Sequence, residues 1–307
     1  MEDWLQPALR FLQYALLMGL FGCAGFRIVG LHGAGWLPVE SGRSAALVAA
    51  GLAPIVSTGL MLASIAAMMG QPLATLDWPM IEAMTLSTDM GWAFLVRTAL
   101  LVAGFLALVV GRRSAGLSIA AVCFAAALMT LGWSGHAAAT EGGLGTFHRV
   151  SNGAHLLAAA LWLGAIGWFL RLSVLAHREP ERVPVAPLLA AMHGFAPFGV
   201  ALVASVSITG LINAQLIFGL ENSAATLSTD YGTMLGVKIA IVGGMLAFGG
   251  HNARISRRSV LTGERAELDH GAALSILRRS LALEMVLGII VIGLVAILGM
   301  LSPVVME

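Results

Sequence analysis

The sequence predicts an all-α integral membrane protein: eight transmembrane helices, arranged as two parallel four-helix repeats, with both termini in the periplasm. Three observations lead to this prediction. Hydrophobic residues make up 58% of the 307 residues and charged residues only 11%, whereas a soluble domain carries about 25% charged residues. Eight apolar stretches are long enough to cross a bilayer, which takes about 20 residues. A seven-residue motif occurs twice.

The eight apolar stretches leave no segment long enough to build a separate soluble domain. The two longest predicted loops, 71–91 and 251–279, cannot form a core of their own. The whole chain is therefore expected to be a single integral membrane domain. The predicted spans, in chain order, are about 9–31, 45–70, 92–110, 116–134, 151–175, 195–219, 233–250 and 280–301.

The basic residues predict the orientation of the spans. Of the 17 Lys and Arg residues, 12 fall in the four loops that must share one side of the membrane. Loops rich in Lys and Arg stay in the cytoplasm. The opposite loops, and with them both termini, are therefore expected outside, which in a bacterial inner membrane means the periplasm.

The repeated motif predicts an internal duplication. Residues 85–91 and 226–232 are identical at six of seven positions, and each copy opens a predicted span. Each is followed by a basic residue within that span, Arg97 in the first copy and Lys238 in the second. We therefore expect residues 1–135 and 136–307 to be two copies of a four-helix unit. An even number of spans in each unit gives both copies the same orientation.

Three histidines lie within 20 residues at the outer end of spans 4 and 5: His136, His148 and His155. His148, Asn152 and His155 are spaced four and three apart, so they share one face of a helix, and Trp162 continues that face seven residues deeper. The connecting loop is short, which brings His136 back towards His148. We expect the three imidazoles to form a metal site; the alternative is three interfacial histidines satisfied by backbone or water.

A methionine favours copper as the metal. Met129 precedes His136 by seven residues on the same predicted helical face. Imidazole together with a soft thioether is a ligand set that suits Cu(I), so Cu(I) is favoured over Cu(II). Methionine also fills gaps in apolar cores, and that remains the alternative for Met129.

The repeated motif supplies further candidates at the outer face. Asp89 and Asp230 start their spans, where a carboxylate caps the helix or interacts with its dipole, or where it attracts cations to the outer mouth. Arg97 and Lys238 lie about 12 Å deeper. Because a fixed cation hinders a cation pathway, we expect both to serve structure or to bind an anionic group such as a lipid headgroup.

The inner face offers a weaker set of candidates. His193 and His251 flank spans 6 and 7 and could form an exit site, although ordinary loop histidines would look the same. Glu284 is a carboxylate within span 8, and Arg27 of span 1, at a similar depth, is its expected partner. Ionisable groups inside a membrane commonly mark functional sites.

No ATP-binding motif of the form G-x-x-x-x-G-K-[ST] occurs in the sequence, so a P-loop ATPase is excluded. We expect no enzymatic activity. No nucleic-acid partner is expected.

Four segments resemble the CopD (PcoD) family of bacterial inner-membrane copper-resistance proteins. They are Ser134-Gly135-His136-Ala137, the run from His155 through Trp162 to Gly164, Asp230-Tyr231-Gly232 with Lys238, and His251-Asn252-Ala253-Arg254. The resemblance implies an eight-span protein that takes periplasmic copper, supplied by a small chaperone of the CopC type, and moves it towards the cytoplasm. It implies outer ligands at His136, His148 and His155.

Two other functions remain open from the sequence. Duplicated helical bundles with histidines near one face also hold haem b between two imidazoles, which would make the chain an electron-transfer protein. A sensor or scaffold would bind copper without moving it.

Overall fold

The computed structural model describes residues 4–31, 34–37, 42–261 and 267–303, and within this part of the chain the regular structure is helical. The described residues form ten α-helices: α1 Leu5–Val29, α2 Arg43–Met69, α3 Trp78–Leu86, α4 Asp89–Val110, α5 Arg113–Met129, α6 Gly142–Arg178, α7 Val185–Phe218, α8 Ser223–Leu227, α9 Asp230–Leu261 and α10 Glu267–Leu298. Short 3₁₀ turns cover Leu73–Thr75, Thr130–Trp133, His136–Ala139 and Leu220–Asn222.

The eight predicted spans are confirmed as eight helices long and apolar enough to cross a membrane: α1, α2, α4, α5, α6, α7, α9 and α10. The helices in the second half are longer than predicted, and α6 alone has 37 residues. The prediction of a loop at 251–279 is wrong, because α9 continues to Leu261 and α10 begins at Glu267. Polar helical turns extend these spans past the apolar stretches that sequence reasoning detects.

Helix packing in one half has its counterpart in the other. In the first half α1 packs on α2 and α5, α2 on α4, and α4 on α5. In the second half α6 packs on α7 and α10, α7 on α9, and α9 on α10. A duplicated four-helix unit would produce this pattern, while the division at residues 135 and 136 stays a prediction.

The two halves meet where α1 crosses α6. Gly22 and Gly164 face one another there, and a Cβ on Gly22 would collide with the carbonyl oxygen of Ala160. Small residues let two helix backbones approach closely within a membrane. This contact sets α6, the helix that carries His148 and His155, against the centre of the bundle.

Candidate metal-binding site at the outer face

One continuous helix presents three of the predicted site residues. Helix α6 begins at Gly142, well before the predicted span start at residue 151. His148, Asn152 and His155 therefore lie on the same helical face, as the four- and three-residue spacings predict. His148 is 1% exposed, whereas Asn152 and His155 are partly buried.

A glycine turn presents His136. Helix α5 ends at Met129, a 3₁₀ turn runs to Trp133, and Gly135 then adopts φ 87° and ψ −158°. Only glycine adopts this conformation without strain. The turn points the His136 ring back into the bundle, where it contacts the edge of Tyr231 with ring centroids 5.5 Å apart.

The His136 ring is oriented by a backbone carbonyl. Its Nε2 lies 3.0 Å from the Leu298 oxygen at the end of α10. A carbonyl can only accept a hydrogen bond, so Nε2 is the donor and Nδ1 of the neutral ring keeps its lone pair. The end of α10 thus fixes the orientation of the His136 ring.

His148 completes an outer pair with His136. The His148 Nδ1 lies 2.9 Å from the Thr140 hydroxyl oxygen, and the two imidazoles are near enough for their charges to interact. Thr140 belongs to the short connection between the 3₁₀ turn and α6. The pair therefore depends on the loop that the sequence identified as short.

His155 lies deeper and has a separate set of partners on α7. Its Nδ1 is 3.1 Å from the Val206 carbonyl oxygen and 3.1 Å from the Thr209 hydroxyl oxygen. The Thr209 hydroxyl donates to the Ser205 carbonyl, so both partners accept from Nδ1–H. The ring packs over Gly210, where a Cβ would stand 3.5 Å from its Cε1 atom. His155 Nε2 is left as the electron-pair donor.

The expected meeting of all three imidazoles at one point is not present. Among residues 4–31, 34–37, 42–261 and 267–303, no three His, Cys, Asp or Glu side chains form a group that could hold a metal ion. The reason is geometric: His148 and His155 are seven residues apart on one helix, about 10 Å of rise. Nitrogen ligands of one metal, each bonded at about 2 Å, must lie closer. The histidines form two levels instead, and their role as ligands stays a prediction.

The other predicted members of the site take different places. Met129 packs against Gly153, at a height on α6 between His148 and His155. Trp162 is 8% exposed and belongs to the buried apolar core of the second half.

The two motif copies form the same helix start, but threonine and not aspartate provides the cap. The Thr88 hydroxyl accepts from the Gly91 N–H at 3.0 Å, and the Thr229 hydroxyl accepts from the Gly232 N–H at 3.1 Å. Asp89 and Asp230 are exposed in the first turn, where their charge favours the helix dipole. The prediction that the aspartates could cap these helices is therefore wrong, because the preceding threonine caps each helix.

Arg97 has a structural partner. Its guanidinium is 5% exposed and donates from Nε to the Thr130 hydroxyl at 2.8 Å and from Nη2 to the Thr130 carbonyl at 3.3 Å. Thr130 is the residue at which α5 changes to a 3₁₀ turn. Arg97 therefore supplies hydrogen-bond donors to the polar groups at the point where the helix ends, five residues before Gly135. Lys238 is partly buried and lies within electrostatic range of His155.

On the inner side the expected Arg27–Glu284 pair is not formed. Glu284 is 2% exposed and accepts a short hydrogen bond from the Asn252 side-chain amide. The Arg27 guanidinium instead lies over the Trp168 ring, 5.4 Å from its centroid. His251 is exposed on α9, and His193 is partly buried on α7 with Nδ1 lacking a hydrogen-bond partner.

Sequence reasoning missed several residues that position the histidines. Leu298 and Val206 act through backbone carbonyls, which no side-chain pattern can reveal. Tyr231 carried a signal, because it is the one position at which the two motif copies differ, Met90 standing in the first copy. Asn252 carried one too, as a polar residue inside the His251–Arg254 segment.

The fold and this site define the class of protein: a multi-pass membrane protein with oriented imidazoles at one end of its bundle. Two family models match the chain, "Copper resistance protein D-like, N-terminal domain" over residues 1–146 and "Copper resistance protein D" over residues 189–298. A relative from Pseudomonas syringae pv. tomato, named Copper resistance protein D, is 34% identical over 314 residues, covering 99% of this chain and 98% of its own.

The chain belongs to the copper resistance protein D family. The resemblance inferred from the sequence motifs is thereby confirmed, and with it an association with copper resistance. No solved structure matches the chain.

Proposed function

We propose that this protein takes copper from the periplasm at the outer histidines and moves it through the inner membrane towards the cytoplasm without hydrolysing ATP. The observation that carries the proposal is the orientation of two imidazoles. His136 and His155 each donate one ring N–H to a backbone carbonyl. This arrangement fixes the ring and leaves the second nitrogen as a metal ligand.

The two levels of histidine favour stepwise transfer over a single tight site. Copper is captured by His136 and His148, then passed to His155, with the Met129 thioether at an intermediate height. Imidazole and thioether together favour Cu(I). The proposed release residues are His193, near the start of α7, and His251, towards the end of α9, both at the inner face of the membrane. A periplasmic chaperone of the CopC type is the proposed donor, with Asp89 and Asp230 as exposed acidic residues on the same outer face.

The test combines copper binding with transport. Purified protein in proteoliposomes is loaded with Cu(I) outside, and uptake is followed with an internal copper probe. His155→Asn, which keeps an N–H donor for Val206, is expected to lower the uptake rate at least about tenfold, as loss of a metal ligand or its orienting partner does. His177→Ala is the matched control, because His177 is exposed at the inner end of the same helix.

Each other result has a definite meaning. Full uptake by His155→Asn would refute the proposed path. Copper binding without uptake in the unmodified protein would indicate a sensor or scaffold. A Soret absorption band in copper-free protein would indicate a haem-b protein, an alternative that the descriptions of the matched family and relative do not mention.

A further inference from the structure

A large cavity lies away from the histidines, between the helices of the first half and α6. It is a partly open cleft with a volume of about 760 Å³, lined by α1, α2, α4, α5 and α6. On α1 its lining residues run from Ala15 to Ile28, which is about 20 Å of helix rise. Small side chains create the space, among them Gly19, Ala46 and Ala49.

One end of this cavity is strongly basic. Arg27, Arg43 and Arg171 line it, and none of the described lining residues is Asp or Glu. Arg43 donates to the Leu108 carbonyl at 3.1 Å. A Cβ on Gly42 would lie 3.5 Å from Nη1 of Arg171. Arg43 and Arg171 therefore lie at the start of α2, and Arg27 lines the same cavity from α1.

The start of α2 adds a second attraction for an anion. Gly42 precedes the helix and has no side chain with which to cap it, and the first turn contains no acidic residue. Free N–H groups at the start of a long helix bind phosphate groups well. Gly42, Arg43, Ala45 and Ala46 all line the cavity, so these N–H groups lie beside the guanidinium groups.

We propose that this cavity holds one anionic phospholipid, with its phosphate among Arg27, Arg43, Arg171 and the start of α2 and an acyl chain along the apolar wall towards Ala15. The length and apolar lining of the cavity favour a lipid over a free phosphate ion. The basic end lies on the face that the positive-inside rule assigns to the cytoplasm. The proposal does not depend on copper transport.

The test is competition between lipids in native mass spectrometry. Protein in detergent is offered equal amounts of phosphatidylglycerol and phosphatidylcholine. The unmodified protein is expected to retain one phosphatidylglycerol. Each basic side chain contributes roughly fivefold at an anionic lipid surface, so Arg43→Gln/Arg171→Gln is expected to bind phosphatidylglycerol about 30-fold more weakly.

Two further variants separate the lipid from other sources of attraction. Arg254→Gln/Arg257→Gln removes the same charge from exposed positions on α9 and is expected to retain the lipid. Ala49→Phe fills the apolar wall and is expected to displace the lipid while all three arginines remain, with thermal unfolding confirming that the variant is folded.

Three outcomes would overturn the proposal. Equal retention of both lipids would remove the requirement for an anionic headgroup. An equal loss in the α9 control pair would reduce the effect to general surface charge. Stabilisation of lipid-free protein by inorganic phosphate, abolished in Arg43→Gln/Arg171→Gln and unaffected by Ala49→Phe, would indicate a free-anion site.

Discussion

At the scale of single residues, two hydrogen bonds in this protein join buried side chains to partners that are distant in the sequence. Arg97 and Thr130 are 33 residues apart, and Asn252 and Glu284 are 32 apart. The first contact joins α4 to the 3₁₀ turn that follows α5, and the second joins α9 to α10. In a membrane the loss of one partner leaves the other without water to replace it, so these pairs yield clear predictions.

Arg97→Met is expected to destabilise the first half of the bundle. The substitution removes both hydrogen bonds to Thr130, and leaving buried polar groups unsatisfied costs about 1–3 kcal/mol. Thermal unfolding in detergent measures the loss. Arg254→Gln, at an exposed position, is the control and is expected to unfold like the unmodified protein; equal unfolding temperatures for Arg97→Met and the control would refute the anchoring role.

The Asn252–Glu284 pair is expected to show strong coupling. Asn252→Leu leaves the buried carboxylate without its donor and is expected to cost about 3 kcal/mol or more. The double variant Asn252→Leu/Glu284→Met removes both polar groups and is expected to be more stable than Asn252→Leu alone. Chemical unfolding of both single variants and the double variant measures the coupling; additive effects would exclude a direct interaction.

At the scale of elements, close helix packing and one unusual turn position the site. Gly135 gives His136 its direction, and the crossing of α1 with α6 fixes the helix that carries the two other histidines. Both features use glycine where a Cβ would be strained or would collide with backbone. The effect of a Cβ at the crossing of α1 with α6 can be measured by comparing two glycines of α1.

Gly22→Ala and Gly19→Ala are expected to have opposite effects. A Cβ on Gly22 would meet the Ala160 carbonyl, whereas a Cβ on Gly19 would have nothing within 4 Å. Overpacking costs about 1–3 kcal/mol, while alanine in an open helix interior is up to about 1 kcal/mol better than glycine. Unfolding in detergent should therefore show a loss for Gly22→Ala alone; equal changes would contradict the proposed close crossing.

At the scale of the whole molecule, the two halves share a pattern of helix packing but differ in their chemistry. Arg97 lies within electrostatic range of Tyr14 in the first half, as Lys238 does of His155 in the second. The histidines at the outer face belong to the second half and to its junction with the first. The large basic cavity instead lies between the helices of the first half and α6. The two halves thus share the threonine-capped starts of α4 and α9 and differ in their interiors.

The orientation of the bundle remains a prediction with a direct test. Because 12 of the 17 basic residues fall on one side, the positive-inside rule places both termini in the periplasm. Alkaline phosphatase fused after residue 307 is expected to be active, since this enzyme needs the periplasm for its disulfides. A green fluorescent protein fused at residue 180, between α6 and α7, is expected to fluoresce; the reverse pattern would invert the proposed direction of copper movement.

The sequence by itself determined the eight spans, the family and the shared helical face of His148, Asn152 and His155. Hydropathy and helical periodicity are local properties, so they can be determined from the sequence without knowledge of the neighbouring helices. Only the tertiary structure decided that the imidazoles form two levels, that Glu284 pairs with Asn252 and not Arg27, and that Arg97 holds Thr130. These depend on the depth and rotation at which distant helices pack, and backbone carbonyls such as those of Leu298 and Val206 leave no trace in residue type.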